Sequence, residues 1–322
     1  MGMTPKQRAI AALTLQQPDE VPTFELEFQL SREVFGKEFF PQELSRANVL
    51  KLSKPEREKR TYQLAEDMVH VYSSLEYCML PAHYCSAWHI TEDYDGRALL
   101  MKYLRDMVGD TMLIGDHADG TFSIPDGNRM YDFVYEIADD PDSVHARAEK
   151  MMNDAIEENK RRVAAGVDVG YMCADYCYNS GPFLSPDMFS QFVTPYLAKI
   201  IEEAKKIGMY TIKHTDGDIM PILDQLVSCE PHALHSLDPM AGVDIKVIKE
   251  TVGDKVALCG NVNCSFLQTG TDEELIASAE YAMTHGKPNG GYIYCTSNVP
   301  FTGINPDRYM MILDVWKRMK AY

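Results

Sequence analysis

Eight strand-like runs, each followed by a stretch with helical spacing, are the feature that most limits what this chain can fold into. The runs are VPTFELEF (21–28), LEYCMLP (75–81), TMLIGDH (111–117), VDVGYMCAD (167–175), MYTIKHTD (209–216), ALHSLDP (233–239), KVALCGN (255–261) and GGYIYCTSN (290–298). The intervening segments carry helix punctuation. SPDMFSQFVTPYLAKIIEEAKKIG opens with Ser185 as a cap and Pro186 in the first turn, and stops at Gly208. TDEELIASAEYAMTHG starts at Thr271 or Asp272 and stops at Gly286, and an Asn305–Pro306 cap begins the closing helix. Alternation of this kind implies a parallel sheet, and eight repeats imply a (β/α)8 TIM barrel, with residues 1–322 forming a single domain. TPKQRAIAALT supplies an extra N-terminal helix, and residues 29–70 and 82–110 are long enough for helical excursions over the barrel top. The rival, an open doubly wound sheet, normally opens on a glycine-rich turn, and TFELEFQLSREVFG contains no G-x-G-x-x-G.

Charge then removes several classes of function. A formal net charge of −17 repels phosphate backbones, so nucleic acid is not an expected partner. No apolar run approaches the ~18 residues of a membrane span. The N-terminal stretch lacks the apolar core and small-residue site of a secretory signal, so a cytoplasmic location is expected. The eight cysteines, at 78, 85, 173, 177, 229, 259, 264 and 295, form no C-x-x-C pair and read as reduced thiols.

In a barrel the chemistry sits at the C-terminal ends of the strands. Those ends carry Glu25 and Glu27, Cys78, Asp116 and His117, Asp175 to Cys177, His214 and Asp216, His235 and Asp238, Gly260 and Asn261, and Cys295, Ser297 and Asn298. His214 and Asp216 are two apart, hence on one face of a strand. Gly217 lets the chain turn after them, and Asp218 suits the cap of the next helix. Cys295 reads either as a core thiol or as a ligand meeting His214 across the barrel. A His, a Cys and a carboxylate would make a tetrahedral zinc set with one open position. His235 suits a site or the core equally, and Cys173 reads as structural. His70, His83, His89, His145, His232 and His285 read as surface or loop residues. There is no G-x-S-x-G, P-loop or H-E-x-x-H.

Several stretches resemble the uroporphyrinogen decarboxylase-like superfamily: MTPKQRAIAALTLQQPDEVP, GPFLSPDMFSQFVTPYLAKII, HTDGDIMPILDQLV, GVDIKVIKETVGDKVALCGNVN and FLQTGTDEELIASAEYAM with GGYI after it. The resemblance covers most of the chain from about residue 140 onward together with the N-terminal helix, and it implies the same barrel. The tetrapyrrole-decarboxylating branch carries an N-terminal Arg-rich signature. Here Glu25 and Glu27 stand in the corresponding stretch, which suits a polyacid substrate poorly. The cobalamin-dependent methyltransferase branch has zinc enzymes with an H-x-C motif after strand five and a Cys near strand eight. His214 and Cys295 match those places, and Asp216 stands where the middle Cys is expected, giving an H-x-D-G pattern like that of an O-demethylase-type subgroup.

The resemblance therefore implies transfer of a methyl group from a small O-methyl or N-methyl substrate to a corrinoid protein, with zinc assistance and with cobalamin carried by that partner. His214 and Asp216 would be catalytic, with His214, Asp216 and Cys295 as metal ligands. Glu27, Asp175, Tyr176, Tyr178, Asn261 and Ser297 would bind the methyl donor. Asp216 either replaces a zinc thiolate or marks a site without metal. A decarboxylase or lyase acting on a small acid, and a ligand-binding barrel without catalysis, stay open as alternatives. The oligomeric state is open too, a homodimer included.

Overall fold

The computed structural model describes residues 2–39, 45–83, 90–92 and 94–322. Seven strands form one parallel sheet: β1 (Met79–Pro81), β2 (Leu113–His117), β3 (Val169–Met172), β4 (Tyr210–Thr215), β5 (Ala233–Ser236), β6 (Ala257–Val262) and β7 (Tyr292–Thr296). Each strand pairs in parallel with the next along the chain. Helices carry the chain back between strands, so the sheet winds in one direction and curls in the manner of a TIM barrel.

The first sequence run, 21–28, is not a regular strand. Thr23 makes only an isolated parallel bridge to Tyr294. Even so, the segment touches both edges of the sheet. Tyr294 N donates to Pro22 O at 2.9 Å, Phe24 N donates to Tyr294 O at 3.3 Å, and Cys78 N donates to Thr23 O at 2.8 Å. Two things stop the ladder from lengthening. Pro22 has no N–H to contribute. The next N–H of β7, that of Thr296, is taken by the Glu25 carboxyl at 3.1 Å instead of by a backbone carbonyl.

The helix signals act at the atoms expected of them. Ser185 Oγ accepts from Met188 N, Asn305 Oδ1 accepts from Asp307 N, and Thr271 with Glu274 forms a reciprocal capping box ahead of Asp272–Gly286. The helix expected from Ser185 to Gly208 is instead two, Pro186–Phe192 and Thr194–Lys206. Pro195 lacks the N–H needed for a bond to the preceding turn, and its ring crowds that turn. Helix Pro5–Leu13, with a Thr4–Gln7 capping box, precedes the sheet. Residues 29–70 include Ser31–Phe35, Arg46–Val49 and most of the 21-residue Lys54–Ser74, and residues 82–110 include Gly96–Val108. Among the described residues, no helix is long and apolar enough to cross a membrane.

Alternation along the strands separates two environments. Tyr294 OH donates to Ile312 O of helix Pro306–Met319, on the helix-covered side. The opposite face is aromatic. Phe24 stacks on Tyr171 with ring centroids 6.1 Å apart and meets His235 edge-on at 5.9 Å, and His235 in turn lies 4.9 Å from His214.

Candidate active site at the C-terminal edge of the sheet

His214 on β4 and His235 on β5 are register partners, so parallel pairing sets the two rings side by side. Their Nδ1 atoms are 2.8 Å apart. The other nitrogen of His214, Nε2, faces carboxylates: Asp175 Oδ1 at 3.7 Å and Asp216 Oδ1 at 3.8 Å. One ligand atom from each of Asp175, His214 and Asp216 lies within 4.8 Å of the others. Asp175 follows β3, the strand hydrogen-bonded to β4, which brings it to the same edge.

Asp216 is held from two sides. Ser236 Oγ lies 2.8 Å from its Oδ1, and Asn298 Nδ2 donates to Oδ2 at 2.6 Å. Burial, with the neighbouring charges of Asp175 and Asp238, pushes its carboxyl up to about 6, although Ser236 and Asn298 pull the other way. Burial raises Asp175 as well. Burial lowers His214 well below the usual imidazole range, and His235 and Lys213 lower it further. Gly217 is needed at the turn. Its φ is +83°, and a Cβ there would come 2.5 Å from Tyr178 O and 2.6 Å from Cys177 O.

The residues expected from sequence divide into two groups. His214 and Asp216 come together, and Asp175, expected to touch substrate, completes their cluster. Cys295, expected as the third ligand, does not join it. It sits on β7, three strands from β4, and is fully buried. Burial, with Glu25, Cys259 and Cys78 as neighbours, raises its thiol well above the ordinary range, so it stays protonated.

Glu27 lies at the mouth, 3.7 Å from His83 Nε2, and takes a 2.9 Å hydrogen bond from Gln29. Tyr178 is exposed, on a short hairpin pairing Cys177–Tyr178 with Gly181–Pro182. Asn261 donates to Leu237 O at 2.8 Å, and Ser297 Oγ accepts from Cys264 N at 3.3 Å, so both also brace loops. Tyr176 is buried, its hydroxyl 2.6 Å from Thr121 Oγ1 and its ring under Lys213 Nζ at 4.0 Å. Glu25 is buried between Thr296 and Tyr309, and burial pushes its carboxyl up to about 8. His83, read as a surface or loop residue, has a side chain only 10 % exposed and packs 5.2 Å from the Tyr171 ring. His89 and Cys85 lie outside the described residues.

The sequence reading missed Lys213. It is wholly buried, 3.0 Å from Asp119 Oδ2, and donates to Met172 O at 3.1 Å and Ala174 O at 2.8 Å. It ties the chain after β2 to the end of β3, next to Asp175. The signal was present: a lysine alternates with apolar residues in YTIKHT, and a charge inside a buried strand requires a partner. Asp116, noted as a strand end, instead pairs with Arg97 at 2.9 Å and Arg162 at 3.2 Å.

Fold and site together define a TIM-barrel-like α/β protein with a His–carboxylate cluster on the edge where such folds place their chemistry. The model of the uroporphyrinogen decarboxylase (URO-D) family matches residues 125–318, and the chain belongs to that family. Among solved structures, a methyltransferase from Methanosarcina mazei superposes with a TM-score of 0.72 over 98% of this chain and 99% of that one, at 19% identity, which establishes a shared fold. N-acetylneuraminate lyase from Fusobacterium nucleatum reaches a TM-score of only 0.38, at 11% identity over 80% of this chain and 92% of that one, too low to carry an argument. No curated protein matches the sequence.

Proposed function

We propose that this protein is a methyltransferase of the cobalamin-dependent kind, built on a complete (β/α)8 barrel. It would move a methyl group from a small O-methyl or N-methyl compound to a corrinoid protein seated over the site. The observation that carries the reading is the cluster of Asp175, His214 and Asp216, whose ligand atoms lie within 4.8 Å of one another. Two carboxyls forced together and raised by burial gain from a divalent cation between them.

One nitrogen and two oxygens are an acceptable zinc set with a position left open, and they are a harder set than thiolates. Bound there, such a cation would supply Lewis-acid stabilisation of the oxygen or nitrogen that gives up its methyl group. The departing atom would keep the bonding electron pair and take a proton, and the methyl group would pass to the corrinoid carried by the partner. Asp216, oriented by Ser236 and Asn298, would hold that cation together with Asp175 and His214. Glu27 and Tyr178 line the approach. No serine or cysteine nucleophile is required of this chain, in keeping with the lack of such a motif.

A metal-free version of the same chemistry is favoured by one observation. The Asp216 carboxyl, raised by burial to about 6, would supply the proton that the departing atom takes. A polycarboxylate substrate is disfavoured, because Glu27, Asp175, Asp216 and Asp238 share this edge.

The test uses purified protein with free cob(I)alamin and a panel of methyl ethers and methylamines, following loss of the cobalt(I) absorbance. Methyl transfer with at least one donor, lost in His214→Ala, supports the reading. Decarboxylation of uroporphyrinogen without methyl transfer overturns it, as does ligand binding with neither reaction. Metal analysis of the active protein, before and after chelation, separates the metal-assisted version from the metal-free one.

A further inference from the structure

The two Nδ1 atoms of His214 and His235, 2.8 Å apart, share a single proton, because a neutral pair at that distance needs one donor and one acceptor. The choice decides what His214 can do at its other nitrogen. If His235 donates, the proton of His214 sits on Nε2, the atom that faces Asp175 and Asp216. If His214 donates, its Nε2 lone pair is free and points at both carboxylates.

His235 is placed to make that choice. It is fixed by register beside His214 and by the edge contact with Phe24. It is 1 % exposed, and among the described residues its Nε2 has no hydrogen-bond partner. Among those residues Nδ1 is its one polar attachment, and that attachment is to His214. A ring serving only to fill this space would do so at lower cost as an apolar residue, since an unpaired buried nitrogen is destabilising.

We propose that His235 is a positioning residue that accepts the Nδ1–H of His214 and so holds the Nε2 lone pair of His214 toward Asp175 and Asp216. The arrangement corresponds to the outer hydrogen bond that fixes the tautomer of a metal-binding histidine, with a histidine in place of the more usual carboxylate or carbonyl. This inference rests on the metal-centre version of the proposed function.

The test is Zn2+ titration of metal-free protein against a chelating indicator, for wild type, H235F, H235N and D216N. It is combined with nitrogen-15 NMR of zinc-loaded protein labelled at histidine. H235F should bind Zn2+ roughly 10–100-fold more weakly. H235N, whose Oδ1 can accept in place of Nδ1, should recover most of the loss. The NMR should show a through-hydrogen-bond coupling between the two Nδ1 atoms, with the proton on His214. If D216N is weakened and H235F binds like wild type, the role of His235 is overturned while the metal centre stands. If wild type and D216N bind equally, the metal centre fails and the inference falls with it. Should H235F not fold, the NMR decides alone: absence of the coupling, or the proton on His235, overturns the proposal.

Discussion

Lys213 Nζ and Asp119 Oδ2 lie 3.0 Å apart with their side chains 0 % and 3 % exposed, an ion pair sealed inside the protein beside the candidate site. Burial alone would raise the Asp119 carboxyl. The Lys213 charge, Ala174 N and Thr121 outweigh it and hold the group at about 2. Removing one partner strands the other, so K213M should cost about 3–5 kcal/mol in urea denaturation. The linkage sign follows from the lowered value. Stability from Asp119 is complete above its unfolded pKa of about 4 and is lost as pH falls toward 2. D119N should therefore flatten the acid limb of the stability curve. An unchanged limb would show that the pair contributes nothing to folding.

Glu25 has the opposite sign. Burial raises its carboxyl to about 8, against donors from Thr296 and Tyr309. The folded state keeps a proton that the unfolded state has lost, so this group makes stability fall by up to about 1.4 kcal/mol per pH unit between roughly pH 4.5 and 8. E25Q keeps the shape and carries no charge. Thermal melts from pH 5 to 9 should show it gaining on wild type as pH rises. A constant difference across that range would mean Glu25 does not titrate there.

The parts of the fold visible in the sequence are those set by local chemistry. Ser185, Asn305, Thr271 and Glu274 announce their helices because caps are short-range hydrogen bonds. The spacing of His214 and Asp216 was legible because a strand has period two. What was not legible depends on contacts between distant segments. The run at 21–28 looks like a strand, yet its ladder stops where the Glu25 carboxyl occupies Thr296 N, a contact across 271 residues. The charge of Lys213 is visible within its strand, but its partner Asp119 is remote in sequence and only the fold brings the two together. The sequence points to Cys295 as the ligand beside His214 and to Asp175 as a substrate contact, and only sheet order, with β3 beside β4 and β7 three strands away, reverses the two.

Asn298 should matter through Asp216 alone. Its Nδ2 donates to Asp216 Oδ2 at 2.6 Å, while Ser236 holds the other oxygen. N298A leaves Oδ2 without that donor and frees the carboxylate to rotate. Zn2+ affinity should fall about 10–100-fold, with a stability cost of about 1 kcal/mol. N298D, which places a like charge at 2.6 Å, should be worse than N298A for stability at neutral pH. Equal metal affinity in wild type and N298A would show that the orientation of Asp216 is set elsewhere.

The identity of the third ligand can be decided by one pair of variants. The family resemblance implies His214, Asp216 and Cys295, whereas the geometry brings Asp175 to His214 Nε2 at 3.7 Å. Cys295 is buried among Glu25, Cys259 and Cys78, with burial raising its thiol well above its ordinary range. To ligate, it would have to lose a proton in an apolar surrounding and move across two intervening strands. Asp175 needs no such movement, since it follows the strand next to β4. D175N should therefore weaken Zn2+ binding by more than the 10–100-fold that loss of a supporting hydrogen bond costs. C295A should leave the affinity within a few-fold of wild type, since only a small buried group is lost. Cobalt(II) substitution gives an independent readout, because a thiolate ligand adds an intense sulfur-to-cobalt charge-transfer band that carboxylates do not produce. The band should be missing in wild type. Its presence in wild type and loss in C295A would restore the thiolate set and show that the mouth rearranges on loading.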